Sequence, residues 1–537
     1  MSKNSFLKGA AILGISGIII KIIGAFYRIP LSNIITTEGV GYYQTVNPYY
    51  TLLLAVSTSG LPTAVSKLIA EKRAIKDYIG AQKIFKISFL GFLIAGLTTS
   101  IAVLLLSKPI VTYMIGNENS YYSLLALVPA LLFVPIMSAF RGYFQGKQNM
   151  VPTALSQLIE QLFKLIVGFP LAYLLLSSGL PKAAGGATFG ASAGAIVGTI
   201  LILIIYFKER RIRAEEAQKS IKCEQESTSN IIRNILAIAI PITIGASIVP
   251  IISSIDTVII MKRLQEIGYT AQETTRLYGQ LTGNAQTLIN LPQALSIAVS
   301  MSLVPAISEA FVRREYNDIK NLTNSGIRVT LLIGLPSAIG LFVLSTPIIN
   351  LLYFKNTVEE QLGAGMLLQV LSISVIFLTL VQSLTAILQG IGKPMIPVRN
   401  LAIGAVVKAV LSYTLTGIPA INIKGAAIST VATYVVASFL NFIYVKKYTK
   451  VDLKLMDTFI KPIISVTLMA IVVKISFTFT QSMVGSKLAT IIAIGIGGIV
   501  YGLALLITGA ITSEDFELLP KGEKLARRLK SIGLLRK

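Results

Sequence analysis

The chain has 537 residues, 53% of them hydrophobic and 13% charged, with mean hydropathy +0.73, and that balance excludes the water-soluble classes. Lys and Arg total 48 against 24 Asp and Glu, a formal charge of +24, but the cations fall between long apolar runs and not in one patch, which speaks against a nucleic-acid role. The absence of His excludes Ser-His-Asp hydrolysis, and a single cysteine, Cys223, excludes an intramolecular disulfide framework.

A bilayer core of roughly 30 Å needs about 20 mostly apolar residues per helix. Fourteen stretches of that kind follow one another: 7–30, 43–70, 84–106, 121–143, 151–177, 185–207, 231–261, 277–307, 326–346, 364–389, 395–417, 424–445, 459–480 and 487–509. The first is too long, and lacks the small-residue cleavage site, for a removed signal peptide, so it reads as a retained helix. Trp is absent, which leaves any aromatic belt at the membrane surface to tyrosines such as Tyr42, Tyr43, Tyr49, Tyr50, Tyr121 and Tyr122. The inner loops and termini of this arrangement hold 34 Lys and Arg, the outer segments eight, and the spans six, so both termini are expected in the cytoplasm, where the positive charge faces the anionic lipid of the inner leaflet.

The sequence repeats itself at a separation of about 240 residues. Ser107–Asn117 resembles Ser345–Asn356, each after a third helix of six. Gln145-Gly146 with Met150 to Pro152 resembles Gln389-Gly390 with Met395 to Pro397, and Pro62 to Ser66 resembles Pro305 to Ser308. An even number of helices separates the copies, so the halves run in the same sense about an axis along the membrane normal. The expected fold is an all-α integral membrane protein with about 14 transmembrane helices, two six-helix bundles in parallel pseudo-two-fold repeat plus two extra C-terminal helices. The divisions are 1–225 for the first bundle and a charged cytoplasmic linker, 226–450 for the second bundle, and 451–537 for the added pair and a basic tail. Such a plan encloses a central cavity and permits alternating access, which points to a transporter and not an enzyme.

Charges inside hydrocarbon are expensive and normally face a cavity or a partner. Lys21, Gly24 and Arg28 share one face of the first helix at i, i+3 and i+7. Lys21 is roughly 20 Å along the axis from Lys8, too deep to reach the inner surface, so it reads as cavity lining; Arg28, near the outer end, reads equally as a snorkelling residue. Glu160 and Lys164 form an i, i+4 pair on the fifth helix, open either to mutual neutralisation or to cavity lining. Lys408 takes nearly the same repeat position on the eleventh helix with no acidic residue close in sequence, which makes it the better candidate for an anion. Asp256 stands as an ion or counter-ion site. The eighth helix carries Gln280, Asn284, Gln286, Thr287, Asn290 and Gln293, suited equally to sugar hydroxyls and to interhelical bonding; Gln286 and Asn290 are its candidate substrate contacts. Lys67 snorkels, and Lys474 has no assigned role. Gly190-Ala-Ser-Ala-Gly194 fits a nucleophile-elbow pattern, but it lies within Gly186, Gly190, Gly194 and Gly198 at four-residue spacing, a packing stripe. Asn321 to Thr323, a glycosylation pattern, falls on an inner loop. No metal, cofactor or ATP-binding motif is expected.

The segments Lys21 to Pro30, Ser59 to Lys67, Arg141 to Pro152 and Leu303 to Glu309 resemble the polysaccharide biosynthesis and stage V sporulation protein B group of the multidrug, oligosaccharidyl-lipid and polysaccharide exporter superfamily, which is similar to the MurJ lipid II flippases. The resemblance covers nearly the whole chain and is most specific from Arg141. It implies two six-helix bundles around a V-shaped cavity, with two further helices forming a groove for a lipid tail. It also implies a function for first-helix cations, at Lys21 and Arg28. The implied activity is outward movement of a lipid-linked oligosaccharide or peptidoglycan precursor, such as an undecaprenyl-pyrophosphate unit, with membrane lipids and cell-wall synthesis enzymes as partners. Two alternatives stay open: a cation-coupled multidrug antiporter of the same architecture, and a non-transporting scaffold for wall synthesis. Six in-span cations against two clear carboxylates favour the anionic cargo.

Overall fold

The computed structural model describes residues 3–221, 226–452 and 455–510; within the first helix the side chains of residues 3–15, 18, 21, 22 and 25 lie outside the described set. All regular elements among the described residues are helical. Thirteen of these stretches are long and apolar enough to cross a membrane, as the sequence predicts for an all-α membrane protein, and the first of them, Phe26–Ala74, is not one straight helix. Its residues belong to α1 (Lys3–Thr58), which breaks at Thr36, and to α2 (Gly60–Ala74). Thr36 has φ 60° and ψ 175°, outside helical space, and separates the two expected spans that α1 contains.

The helices cluster into two compact units. The first holds α1, α2, α3 (Tyr78–Pro109), α4 (Tyr121–Ala126), α5 (Val128–Gly146), α6 (Val151–Leu174), α7 (Leu180–Lys208), α8 (Arg210–Gln218), α9 (Thr228–Glu266) and α10 (Ala271–Tyr278). The core of this unit is aromatic near α3 and α5: Phe85, Phe140, Tyr143 and Tyr206 stand with ring centroids 4.8 to 5.5 Å apart. Such offset and edge contacts are the favoured geometry for aromatic pairs.

The glycine stripe of α7 lies against α6. A Cβ on Gly190 would meet the Lys164 carbonyl at 2.5 Å, and one on Gly194 would overlap the Glu160 carbonyl. Small residues at four-residue spacing thus bring two backbones together, and Ser192 donates to the Ala126 carbonyl at 2.5 Å. This packing fixes where the polar side chains of α6 can point.

Beyond α7, the short helix α8 is tied back onto the unit. Arg73 donates to both carboxylate oxygens of Glu216, at 3.0 and 2.7 Å, and Lys147 bridges Glu209 at 2.6 Å. The Arg73 fork holds the Glu216 carboxyl below its ordinary range, ahead of opposing desolvation and a further contribution from Lys147. A depressed carboxylate pKa contributes stability above the unfolded-state value and loses it as pH falls through the folded value. Docking of α8 is therefore expected to hold from neutral pH down to about 5 and to weaken below about 4. Hydrogen exchange of the α8 amides, corrected for intrinsic rate, checks this, and Glu216→Gln should remove the pH dependence.

The second unit holds α11 (Gln286–Arg313), α12 (Tyr316–Val343), α13 (Ser345–Leu352), α14 (Val358–Gly390), α15 (Met395–Thr416), α16 (Lys424–Thr449), α17 (Lys461–Val484) and α18 (Ser486–Thr508). Leu303, Ile307, Leu384, Ile387 and Leu388 form its centre, where α11 meets α14. In this unit the pairing of α15 with α16 has the same logic as α6 with α7. A Cβ on Gly404 would meet the Thr433 carbonyl at 2.7 Å, and Asn400 donates to Asn441 at 2.9 Å in the buried seam.

Candidate functional site

In the first unit, Gly168 on α6 leaves room for a ring. Tyr27 of α1 fills that space, donates its hydroxyl to the Ala187 carbonyl at 2.7 Å, and packs its ring against that of Phe169 at 4.9 Å, tilted by 44°. Its position is thus set by three helices. The Lys164 ammonium stands 5.2 Å from the Tyr27 ring centroid and 5.8 Å from that of Tyr43, and donates to the Tyr43 hydroxyl at 3.2 Å. An ammonium has three N–H donors, and this bond uses one. Two π faces stabilise the cation without neutralising it.

Arg28 acts electrostatically on the same Tyr43 hydroxyl as Lys164. Both cations are half-buried. Glu160, which the sequence allowed as a partner for Lys164 one turn away, turns elsewhere: it accepts from the Arg141 guanidinium at 2.9 Å, and the same guanidinium donates to Ser156 at 2.9 Å. No carboxylate lies within ion-pair distance of Lys164 among the described residues. Lys164 is thus held at Tyr43, with positive charge from Arg28 felt at the same hydroxyl, while Glu160 is held by Arg141.

The remaining candidates are placed as follows. Gly24 sits on α1 with open space where a Cβ would stand, and the Lys21 side chain lies outside the described residues. Asp256 on α9 belongs to a separate neighbourhood, acting on Tyr278, whose hydroxyl bonds Thr257 at 2.8 Å. In the second unit, Gln286, Asn290 and Gln293 fall at i, i+4 and i+7 on one face of α11 and are half-exposed. Their side chains make no hydrogen bond among the described residues. Lys408 is half-buried on α15 and acts electrostatically on Tyr434 of α16, also half-buried.

Sequence reading missed the two tyrosines that hold Lys164 and the arginine that removes Glu160. Tyr42, Tyr43 and Tyr49 are buried within the protein, whereas Tyr122 is exposed. Tyr27 and Tyr43 lie on α1 and Lys164 on α6, so no periodicity within one helix signals their contact. The second unit also contains an apolar cavity of about 410 Å³ among α11, α12, α13, α17 and α18, walled by Leu288, Leu291, Leu341, Met469, Val473 and Ile494.

Comparison with known proteins is consistent across the chain. The family model described as "Polysaccharide biosynthesis protein" matches residues 6–311, and that of "MatE" matches 282–414. "Stage V sporulation protein B" of Bacillus subtilis (strain 168) is 30% identical over 463 residues, covering 85% of this chain and 86% of the relative. "Lipid II flippase MurJ" of the same organism is 29% identical over 519 residues, 93% of this chain and 94% of the relative. Among solved structures, "Lipid II flippase MurJ, inward closed conformation" aligns with TM-score 0.69 at 17% identity, over 92% of this chain and 97% of that one.

Proposed function

The chain belongs to the polysaccharide biosynthesis protein family, and on that premise we propose that it moves a lipid-linked cell-wall sugar precursor from the inner to the outer leaflet of the bacterial cell membrane. It is a multi-pass membrane transporter of the exporter superfamily that includes MurJ and the multidrug MATE proteins, not an enzyme. The observation that carries the finer reading is the Lys164 ammonium held at Tyr43: it donates to that hydroxyl, Arg28 of α1 adds positive charge felt at the same group, and Glu160, bound to Arg141, does not pair with Lys164. An un-neutralised pair of cations among apolar helices suits a diphosphate, which presents multiple anionic oxygens to donors of both kinds.

In this reading the headgroup is handled by Arg28 and Lys164, with Lys21, Gly24 and Lys408 as further lining, and Gln286 and Asn290 supply hydrogen bonds to sugar or peptide. Glu160 and Asp256 act as counter-ions. The functional halves are the two six-helix repeats, 1–225 and 226–450, with both termini cytoplasmic and residues 451–537 forming the added pair and tail. The apolar cavity beside α17 and α18 takes the polyprenyl chain, whose burial there is favourable while the head crosses in a wet path. Opening alternates between leaflets, and the cargo is an undecaprenyl-pyrophosphate peptidoglycan unit. A cation antiporter would need an intramembrane acid available for exchange, and of the two, Glu160 is committed to Arg141.

The test is leaflet-specific labelling of the precursor in cells lacking redundant flippases and depleted of this protein. Outer-leaflet precursor should disappear on depletion and return with the wild-type chain. Unchanged labelling would exclude the proposal, and restored drug efflux without precursor movement would favour the antiporter.

A further inference from the structure

Helix α17 buries Ser465, Val466, Met469 and Val473 against its own unit, and its opposite side is exposed. That exposed side is not uniformly apolar. Thr467, Lys474, Thr478 and Gln481 fall at i, i+7, i+11 and i+14, within one narrow stripe of a 3.6-residue helix, and all four are exposed. Ile471 and Ile475 flank them, 52% and 63% exposed. The threonine hydroxyls spend their protons on their own helix, Thr467 on the Ile463 carbonyl at 2.8 Å and Thr478 on that of Lys474 at 2.9 Å. The Lys474 ammonium has no such recourse, and among the described residues it makes no ion pair or hydrogen bond.

Depth makes this placement costly. Lys474 stands roughly 20 Å along the axis from Lys461 and roughly 15 Å from Val484 at about 1.5 Å per residue. The nearer helix end is the C-terminal one, but a helical Cα–Cβ bond tilts toward the N-terminus, so the stem starts out in the longer direction and snorkelling is opposed. An exposed charge in mid-span calls for an anionic partner at the same depth.

We propose that this face of α17 docks a transmembrane helix of another protein, one that presents a carboxylate opposite Lys474 and polar groups opposite Thr478 and Gln481. Phospholipid phosphates lie at the hydrocarbon border and not in mid-span, so lipid does not meet the depth. A second copy of this chain fits less well: of its two mid-span carboxylates, Glu160 is bound to Arg141, and Asp256 has its Oδ1 buried. Charge, depth and the ladder of polar groups toward one helix end together describe the partner's face.

The experiment uses the full chain, purified, dye-labelled and reconstituted in vesicles, with a labelled leucine-alanine transmembrane peptide of 24 residues, a length chosen to match α17, that carries one central Glu. Energy transfer should report binding about tenfold tighter to the wild type than to Lys474→Leu, and a central-Leu peptide should not distinguish the two. Lys474→Arg should retain the preference. Lys474→Leu should leave precursor translocation unchanged, since it replaces an exposed charge with an apolar group and Lys474 does not line the apolar cavity. Equal binding of the Glu and Leu peptides overturns the proposal. So does Lys474-dependent energy transfer between two labelled copies, which assigns the face to self-association, or Lys474-dependent enrichment of labelled cardiolipin, which assigns it to lipid. Loss of translocation in Lys474→Leu also overturns it, by placing the residue in the transport machinery.

Discussion

Lys164→Met is expected to slow outward movement of the lipid-linked precursor by about 10- to 100-fold while the protein folds and inserts normally. A charge-assisted hydrogen bond to an anion is worth about 1.5–3 kcal/mol, and each 1.4 kcal/mol is tenfold. Methionine keeps an unbranched stem to pack over the Tyr27 ring, so the change removes charge with little loss of volume. It leaves no orphaned acid, because Glu160 is already satisfied by Arg141. Tyr43→Phe is the matched control: it removes the acceptor that aims Lys164 but keeps the cation, and should slow movement by only about threefold, the size of a modest hydrogen bond. Rates of headgroup exposure in vesicles loaded with the precursor measure both. A wild-type rate for Lys164→Met would remove this residue from the headgroup path.

The membrane fold was legible because its physical cause is local. Twenty apolar residues between charges specify a span regardless of what surrounds it, and four-residue glycine spacing marks a close helix contact without saying with which helix. The structure supplies the partner: Gly190 and Gly194 sit on the Lys164 and Glu160 carbonyls. The break at Thr36 escaped sequence reading, since it carries neither Gly nor Pro and shows only as φ 60°. The cation pair was half legible. Arg28 and Lys164 each declare themselves as charges inside spans, but their meeting at Tyr43, over 100 positions from Lys164 in the chain, depends on packing that no periodicity records. The seat that Tyr43 gives Lys164 was not legible for the same reason, because amphipathic rings suit a membrane belt and a buried hydrogen-bonded seat equally. Glu160 was legible as a mid-span acid, yet its partner was not. An i, i+4 lysine is the obvious choice on an isolated helix, and the guanidinium from α5 prevails because its rigid plane gives one N–H to the carboxylate and another to Ser156.

That choice of partner carries the second large expectation. Glu160→Met should destabilise the protein by about 3 kcal/mol by stranding the Arg141 guanidinium, and Arg141→Met should cost less, because the freed Glu160 carboxylate has Lys164 as a second partner. The double replacement should recover most of both losses, because it removes the two charges together and leaves apolar groups of similar length. Unfolding of the detergent-solubilised chain by heat or denaturant measures the cycle, and strictly additive losses would show that the pair is not coupled. Transport should follow the same cycle for a different reason. With Arg141 gone, Glu160 is free to turn to Lys164 one turn along α6 and neutralise it, so Arg141→Met should slow precursor movement although neither Arg28 nor Lys164 has been touched. Removing Glu160 as well should restore the rate, because Lys164 again faces the headgroup uncancelled. A double variant that is stable yet still slow would mean that Arg141 itself meets the cargo, and that the separation of counter-ion from binding cation drawn here lies in the wrong place.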